Sequence, residues 1–210
     1  MIKKLIKMII KYPIKLVNSV YTYFYYKDSP RKDSYEIDEE IIEGEKVLVF
    51  SPHVDDETIG LGGTLLKHKS INNEMSLVYL TDGGGSTSHS SREELIRQRK
   101  EEGYKVKEFY GFDTIYFLDE LDGQLDSSKK KLIDKILSIL NKEKPTIIYT
   151  PFLIDGHKDH VETTKALLKA LKVWNRNFDK IYMYEVNCPI MPLLINSLSI
   201  MDECLYNNKG

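Results

Sequence analysis

The chain predicts an α/β fold, a mainly parallel sheet with helices on both faces. Two observations carry this. Short apolar runs of strand character, at 46–50, 75–80, 114–118, 146–150 and 181–186, alternate with longer amphipathic stretches; strands and helices that alternate along a chain assemble into a covered parallel sheet. The first run, Val47 to Phe50, is almost continuously apolar, as in a strand buried on both faces rather than one with a wet side. At 210 residues the chain is most simply one domain, large enough to bury a core.

The elements follow in order. The strand at 46–50 stops at Pro52, and a small apolar segment, Thr58 to Leu66, reads as a helix close behind. Gly60, Gly62 and Gly63 lie inside that helix, not in the turn straight after the strand, so they make no dinucleotide fingerprint. Close packing of the helix on the sheet explains them. The next strand, 75–80, runs into Thr81-Asp82-Gly83-Gly84-Gly85-Ser86, read as a substrate-side loop. Ser91 and Glu94 have the spacing of a capping box, which starts a helix that runs to Gly111. After the strand at 114–118, Leu121-Asp122-Gly123 reads as a turn. A helix over 127–141 buries Leu132, Ile133, Ile136, Leu137 and Leu140. The strand at 146–150, a helix over about 161–173 and a strand at 181–186 complete a Rossmann-like three-layer sandwich.

Residues 1–45 form a separate region. Residues 1–27 carry six Lys and no acid, and Lys3, Lys7, Lys11 and Lys15 recur against Ile2, Leu5, Ile6, Ile9 and Ile10. This predicts a basic amphipathic N-terminal helix, interrupted near Pro13. It either contacts an anionic membrane surface peripherally through residues 1–26 or packs on the domain. Its longest uncharged run, 16–26, is well short of the roughly 20 residues that a membrane crossing needs. Residues 28–45 read as a linker. A net charge of -2 implies no nucleic-acid partner. Two Cys, Cys188 and Cys204, are too few for a disulfide framework, which favours a cytoplasmic location, with the inner face of a membrane as the variant if residues 1–26 bind there.

Chemistry concentrates at two strand ends. Behind the first strand stand His53, Asp55, Asp56 and Glu57; behind the fourth stand Asp155, His157, Asp159 and His160. The acids at 55–57 could simply charge the first turn of a helix, and residues 155–160 could be a solvated loop. Parallel strands would nevertheless bring both sets to one edge of the sheet, and mixed imidazole and carboxylate donors suit zinc or a similar first-row metal better than Mg or Ca.

The motifs PHVDDE (Pro52 to Glu57) and HKDH (His157 to His160), in this order and separation, resemble the LmbE-like or PIG-L-like zinc-dependent N-acetylglucosamine deacetylases over about residues 46–185. The resemblance implies a domain at 46–210 and a hydrolase that removes acetyl from an N-acetylglucosamine conjugate, either a small molecule or a lipid-linked sugar. It implies metal ligands His53, Asp56 and His160, holding zinc or iron in its place. It also implies Asp55 as general base for a zinc-activated water, His157 as oxyanion stabiliser with Asp159 holding its ring, and sugar contacts from Arg99 and Asp122. Val54 and Lys158 stand where the family more often has Pro or Ala, and Pro. After Asn187 the family has further sheet and a closing segment, whereas this chain ends at Gly210; the expectation is either a shortened chain or a pocket completed by a second subunit in a homo-oligomer. A Mg-dependent phosphoesterase and a non-catalytic sugar-binding relative are the alternative functions.

Overall fold

The structure, a computed structural model, describes residues 41–85, 91–153, 155–174 and 180–186, with Val20, Arg176 and Phe178 besides. The expected N-terminal helix and linker, and the segment after Asn187, lie outside the described residues.

Nine elements alternate as expected: β1 (Lys46–Ser51), α1 (Asp56–Ser70), β2 (Glu74–Thr81), α2 (Arg92–Tyr110), β3 (Thr114–Glu120), α3 (Lys130–Glu143), β4 (Ile147–Pro151), α4 (Lys158–Val173) and β5 (Lys180–Tyr184). The five strands form one sheet in the order β3-β2-β1-β4-β5, every neighbouring pair parallel. The chain walks outward from β1 through β2 to β3, then crosses back and walks the other way from β4 to β5. Loops that leave β1 and β4 therefore part from each other, and the crevice between them is where an open α/β sheet binds its ligands.

Two apolar layers cover the sheet. Along β1, Leu48 and Phe50 face a cluster with Leu132, Ile136, Leu140, Leu167 and Ala170 of α3 and α4. Val47 and Val49 face the other side, with Leu61, Leu65, Leu77, Tyr79 and Tyr110. A strand alternates its side chains between faces, so a continuous apolar run is what two covered faces demand. Leu48, Phe50, Leu65, Ile136 and Leu167 are fully buried, and each such side chain contributes about 1.5–3 kcal/mol.

Local signals behave as read in α2. Ser91 Oγ accepts the Glu94 N–H at 3.2 Å while Glu94 Oε2 accepts the Ser91 N–H at 3.3 Å, and Gly111 closes the helix at φ 76°, a left-handed cap that glycine adopts without strain. Two helices start earlier than expected. Helix α1 begins at Asp56 rather than Thr58, and α4 at Lys158 rather than 161, which moves Asp56, Asp159 and His160 from loops onto first helical turns. The close packing expected of the α1 glycines holds for Gly60, where a Cβ would lie 2.3 Å from Tyr184 Cδ2, but not for Gly63, which faces open space. Among the described residues no helix is long and apolar enough to cross a membrane.

Candidate active site

Beyond the carboxyl ends of β1 and β4 lies a cavity of about 350 Å³ lined by His53, Asp55, Asp56, Arg99, Asp122, His157 and His160, with Val54, Ile59, Gly83, Gly85 and Val186. Of the residues given a catalytic, metal or substrate role in the sequence, all but Asp159 are in that lining. Asp159 lies buried behind it.

Asp56, at the first position of α1, is the meeting point. Its Oδ2 lies 3.1 Å from His53 Nδ1 and 3.3 Å from His160 Nε2, and it also accepts the His53 N–H at 3.0 Å. The imidazoles crowd together, with ring centroids 5.6 Å apart for His53 and His160, 4.8 Å for His53 and His157, and 5.0 Å for His157 and His160. Behind each ring that faces Asp56 stands another carboxylate. His53 Nε2 is 3.2 Å from Asp122 Oδ1 and 3.4 Å from Asp159 Oδ2; His160 Nδ1 is 2.9 Å from Asp155 Oδ2. Both nitrogens are buried with no hydrogen-bond partner in line.

This donor set fits a divalent cation. Two sets of donors lie within 4.8 Å of one another, His53 with His157 and His160, and His53 with Asp122 and Asp159. Asp56 adds a carboxylate oxygen between His53 and His160, and its two short contacts match the edge of about 3.3 Å of a tetrahedron with arms near 2.05 Å. Electrostatics points the same way. Burial alone would lower the His53 pKa, yet Asp122, Asp159 and Asp56 outweigh it and push it up to about 11. Burial would likewise lower His160, and Asp155 and Asp56 push it up to about 9. Asp56, which burial would raise, is held well below the carboxylate range by His160 and His53. The carboxylates thus favour positive charge in this cluster.

Asp55 has an unusual backbone. It is the N-cap of α1 with φ 133° and ψ -26°, and its side chain makes no capping hydrogen bond. A non-glycine residue in such a region costs on the order of 1–3 kcal/mol. The conformation leaves the carboxylate on the cavity wall, where burial and the neighbouring Asp56 charge raise its pKa, opposed by Arg99 and His53.

The glycine loop after β2 is indeed on the cavity side. A Cβ on Gly83 would come 2.9 Å from Arg99 Cγ, and one on Gly85 2.9 Å from Asp122 Cγ. Arg99 also lines the cavity and donates to Glu102 Oε2 at 2.7 Å. Asp122 Oδ2 accepts the Gly85 N–H at 3.0 Å, so both its oxygens are engaged within the protein, one by the loop and one by His53.

Asp159 corrects the expectation that it holds the His157 ring. Its carboxylate accepts the N–H groups of Gly123 at 2.7 Å and Leu125 at 3.1 Å and turns to His53. It is the Asp159 backbone N–H that donates to His157 Nδ1, at 3.3 Å, because His157 is the N-cap of α4. Asp155, named in the second cluster, was given no role. Its Oδ1 accepts the His157 N–H at 2.8 Å while Oδ2 meets His160. The available signal was an Asp two residues before a helix-capping His, a spacing that an ordinary Asx turn shares.

The chain is 34% identical over 134 residues to the diacetylchitobiose deacetylase of Thermococcus kodakarensis, which covers 61% of this chain and 50% of that one. It is 27% identical over 134 residues to the probable N-acetyl-alpha-D-glucosaminyl L-malate deacetylase 2 of Bacillus anthracis, 60% of this chain and 58% of that one. The chain thus spans about half the length of these curated relatives. Its fold is shared with the N,N'-diacetylchitobiose deacetylase of Pyrococcus horikoshii, with a TM-score of 0.62 at 23% identity over 87% of this chain and 78% of that one. The model of the PIG-L family, GlcNAc-PI de-N-acetylase, matches residues 48–171, from β1 into α4 and across both motifs. By that match the chain belongs to the PIG-L family.

Proposed function

We propose that this chain is a zinc-dependent hydrolase that removes the acetyl group from an N-acetylglucosamine conjugate. The observation that carries the reading is the single Asp56 carboxylate oxygen flanked by His53 Nδ1 and His160 Nε2, 3.1 and 3.3 Å away. Two relatives named for deacetylation of N-acetylglucosamine-type molecules support the substrate class. With two imidazoles at the ion, zinc, or iron in its place, suits the site better than the all-oxygen shell of Mg. His53, Asp56 and His160 would hold the metal. His157 and Asp159 are already engaged, the first through Nδ1 to a backbone N–H and the second by two backbone N–H groups.

A zinc ion held by these residues would supply Lewis acidity toward a water and a carbonyl oxygen. The chain's own groups do the rest. Asp55, with its pKa raised by burial and by Asp56, accepts the proton of the attacking water as general base. The water oxygen bonds to the acetyl carbon, the carbon–nitrogen bond breaks, and the amine leaves with the proton that Asp55 took from the water, while acetate remains. His157 accepts a hydrogen bond at Nδ1, which leaves Nε2 to donate to the carbonyl oxygen as it becomes negative. Arg99, on the cavity wall, offers its guanidinium to a sugar hydroxyl. The low cysteine count leads us to place this reaction in the cytoplasm.

The test is acetate release from N-acetylglucosamine, diacetylchitobiose and glycosidic N-acetylglucosamine conjugates by protein loaded in turn with zinc, iron and magnesium. Zinc- or iron-dependent acetate is expected, lost in Asp56→Ala. Phosphate release from phosphoesters with magnesium, and acetate from none of the sugars, would overturn the reading.

A further inference from the structure

We propose that Glu57 is the positioning residue that holds Asp55 in its cavity-facing conformation; the inference rests on the reading of Asp55 as general base. An aspartate at a helix N-cap ordinarily folds its carboxylate back onto the second or third N–H of the helix. Asp55 does not. Its side chain makes no cap bond, and its backbone sits at φ 133°, where only a strong local constraint keeps a residue with a Cβ.

Glu57 supplies that constraint. Its Oε2 accepts the Asp55 backbone N–H at 3.3 Å and the Ser51 hydroxyl at 3.1 Å, and its Oε1 accepts the Thr58 hydroxyl at 2.8 Å. Ser51 is the last residue of β1, and its Oγ also lies 2.7 Å from the His53 carbonyl oxygen. The carboxylate therefore ties the end of the strand to the start of the helix across the segment that carries His53, Asp55 and Asp56. It is completely buried, and none of its hydrogen-bond partners among the described residues is a cation. Such a group is costly to bury, and an exposed acid would serve equally well if its task were only to charge the first helical turn. With the Asp55 N–H pinned from behind, the chain turns through its strained conformation, and the Asp55 carboxylate is released from capping to face the cavity.

Glu57→Leu removes every acceptor at similar volume, and Glu57→Gln keeps one oxygen that can take the place of Oε2 and accept the Asp55 N–H, with its amide nitrogen turned to Thr58 Oγ1. In Glu57→Leu, kcat for acetate release should fall about 100-fold, the scale of a base displaced by an ångström. KM and zinc affinity, measured by chelator competition, should stay as in the wild type, and Glu57→Gln should recover most of kcat. A crystal structure of Glu57→Leu should show Asp55 relaxed to negative φ with its carboxylate capping α1. Should Glu57→Leu fail to fold, Ser51→Ala combined with Thr58→Val, which loosens the same carboxylate, should give the same split of kcat from KM. The proposal is overturned if Asp55 keeps positive φ, if kcat is unchanged, or if zinc affinity falls in parallel with kcat. Wild-type protein that releases no acetate would refute the catalytic reading, while the Asp55 backbone in the variant would still decide what holds it.

Discussion

A buried imidazole far from the cavity makes the most quantitative prediction. His68, in the last turn of α1, is fully buried. Its Nε2 lies 2.9 Å from the Tyr149 hydroxyl and its Nδ1 2.9 Å from Asn73 Nδ2. The Asn73 amide cannot turn over, because Nδ2 also donates to the Ile42 carbonyl at 2.8 Å while Oδ1 accepts the Glu45 N–H at 3.1 Å. Nδ1 therefore faces a fixed donor and must stay unprotonated. Burial pushes the His68 pKa down from 6.5 to about 4, and the Asn73 donor works in the same direction. The unfolded chain takes up this proton near pH 6.5 and the folded chain only near 4, so the stability is fully present above 6.5 and is lost as pH falls toward 4. At about 1.4 kcal/mol per pH unit the total is about 3 kcal/mol, of which about 2 kcal/mol disappears between pH 7 and pH 5. Urea unfolding at the two pH values should show the wild type losing that much more stability than His68→Phe, whose ring does not titrate. Asn73→Asp, which puts a carboxylate in place of the donor, should raise the His68 pKa. A His68 ring that titrates near 6.5 by NMR, or equal losses in wild type and His68→Phe, would refute the reasoning.

Other expectations are simpler. Asp155→Ala removes the carboxylate behind His160 and should weaken zinc binding about 10- to 100-fold by chelator competition. Gly60→Ala places a methyl group 2.3 Å from Tyr184 and should cost about 1–3 kcal/mol by overpacking, whereas Gly63→Ala, facing open space in the same helix, should gain about 0.5–1 kcal/mol; thermal melts of the two variants should move in opposite directions. Dialysis against a chelator should abolish acetate release, and added zinc should restore it.

What the sequence made legible, it made legible through short-range pattern. Val47 to Phe50 announced a strand covered on both faces because successive side chains need two apolar layers, and Ser91 with Glu94 announced a helix start because the two groups satisfy each other's N–H. Both site motifs were visible because each is compressed into a few residues. What stayed hidden depends on atoms distant in the chain. Asp159 looked like a partner for the nearby His157, but the N–H groups of Gly123 and Leu125, from the loop after β3, claim its carboxylate. The start of α4 was misplaced because residues 155–160 read equally as a solvated loop, and nothing local shows that His157 caps a helix by accepting the Asp159 N–H.

Those long-range partners account for how two rings from motifs about a hundred residues apart reach one carboxylate. His53 turns Nε2 toward Asp122 and Asp159 and Nδ1 toward Asp56. His160 is turned the opposite way, with Nδ1 against Asp155 and Nε2 toward Asp56. Different nitrogens of the two rings thus converge because different carboxylates stand behind them, as in metal sites where the ligand's second nitrogen is held by an acid. Asp122 adds a further link. The oxygens it presents to His53 and to the Gly85 N–H join that ring to the glycine loop on the cavity wall, so ring and loop share one carboxylate.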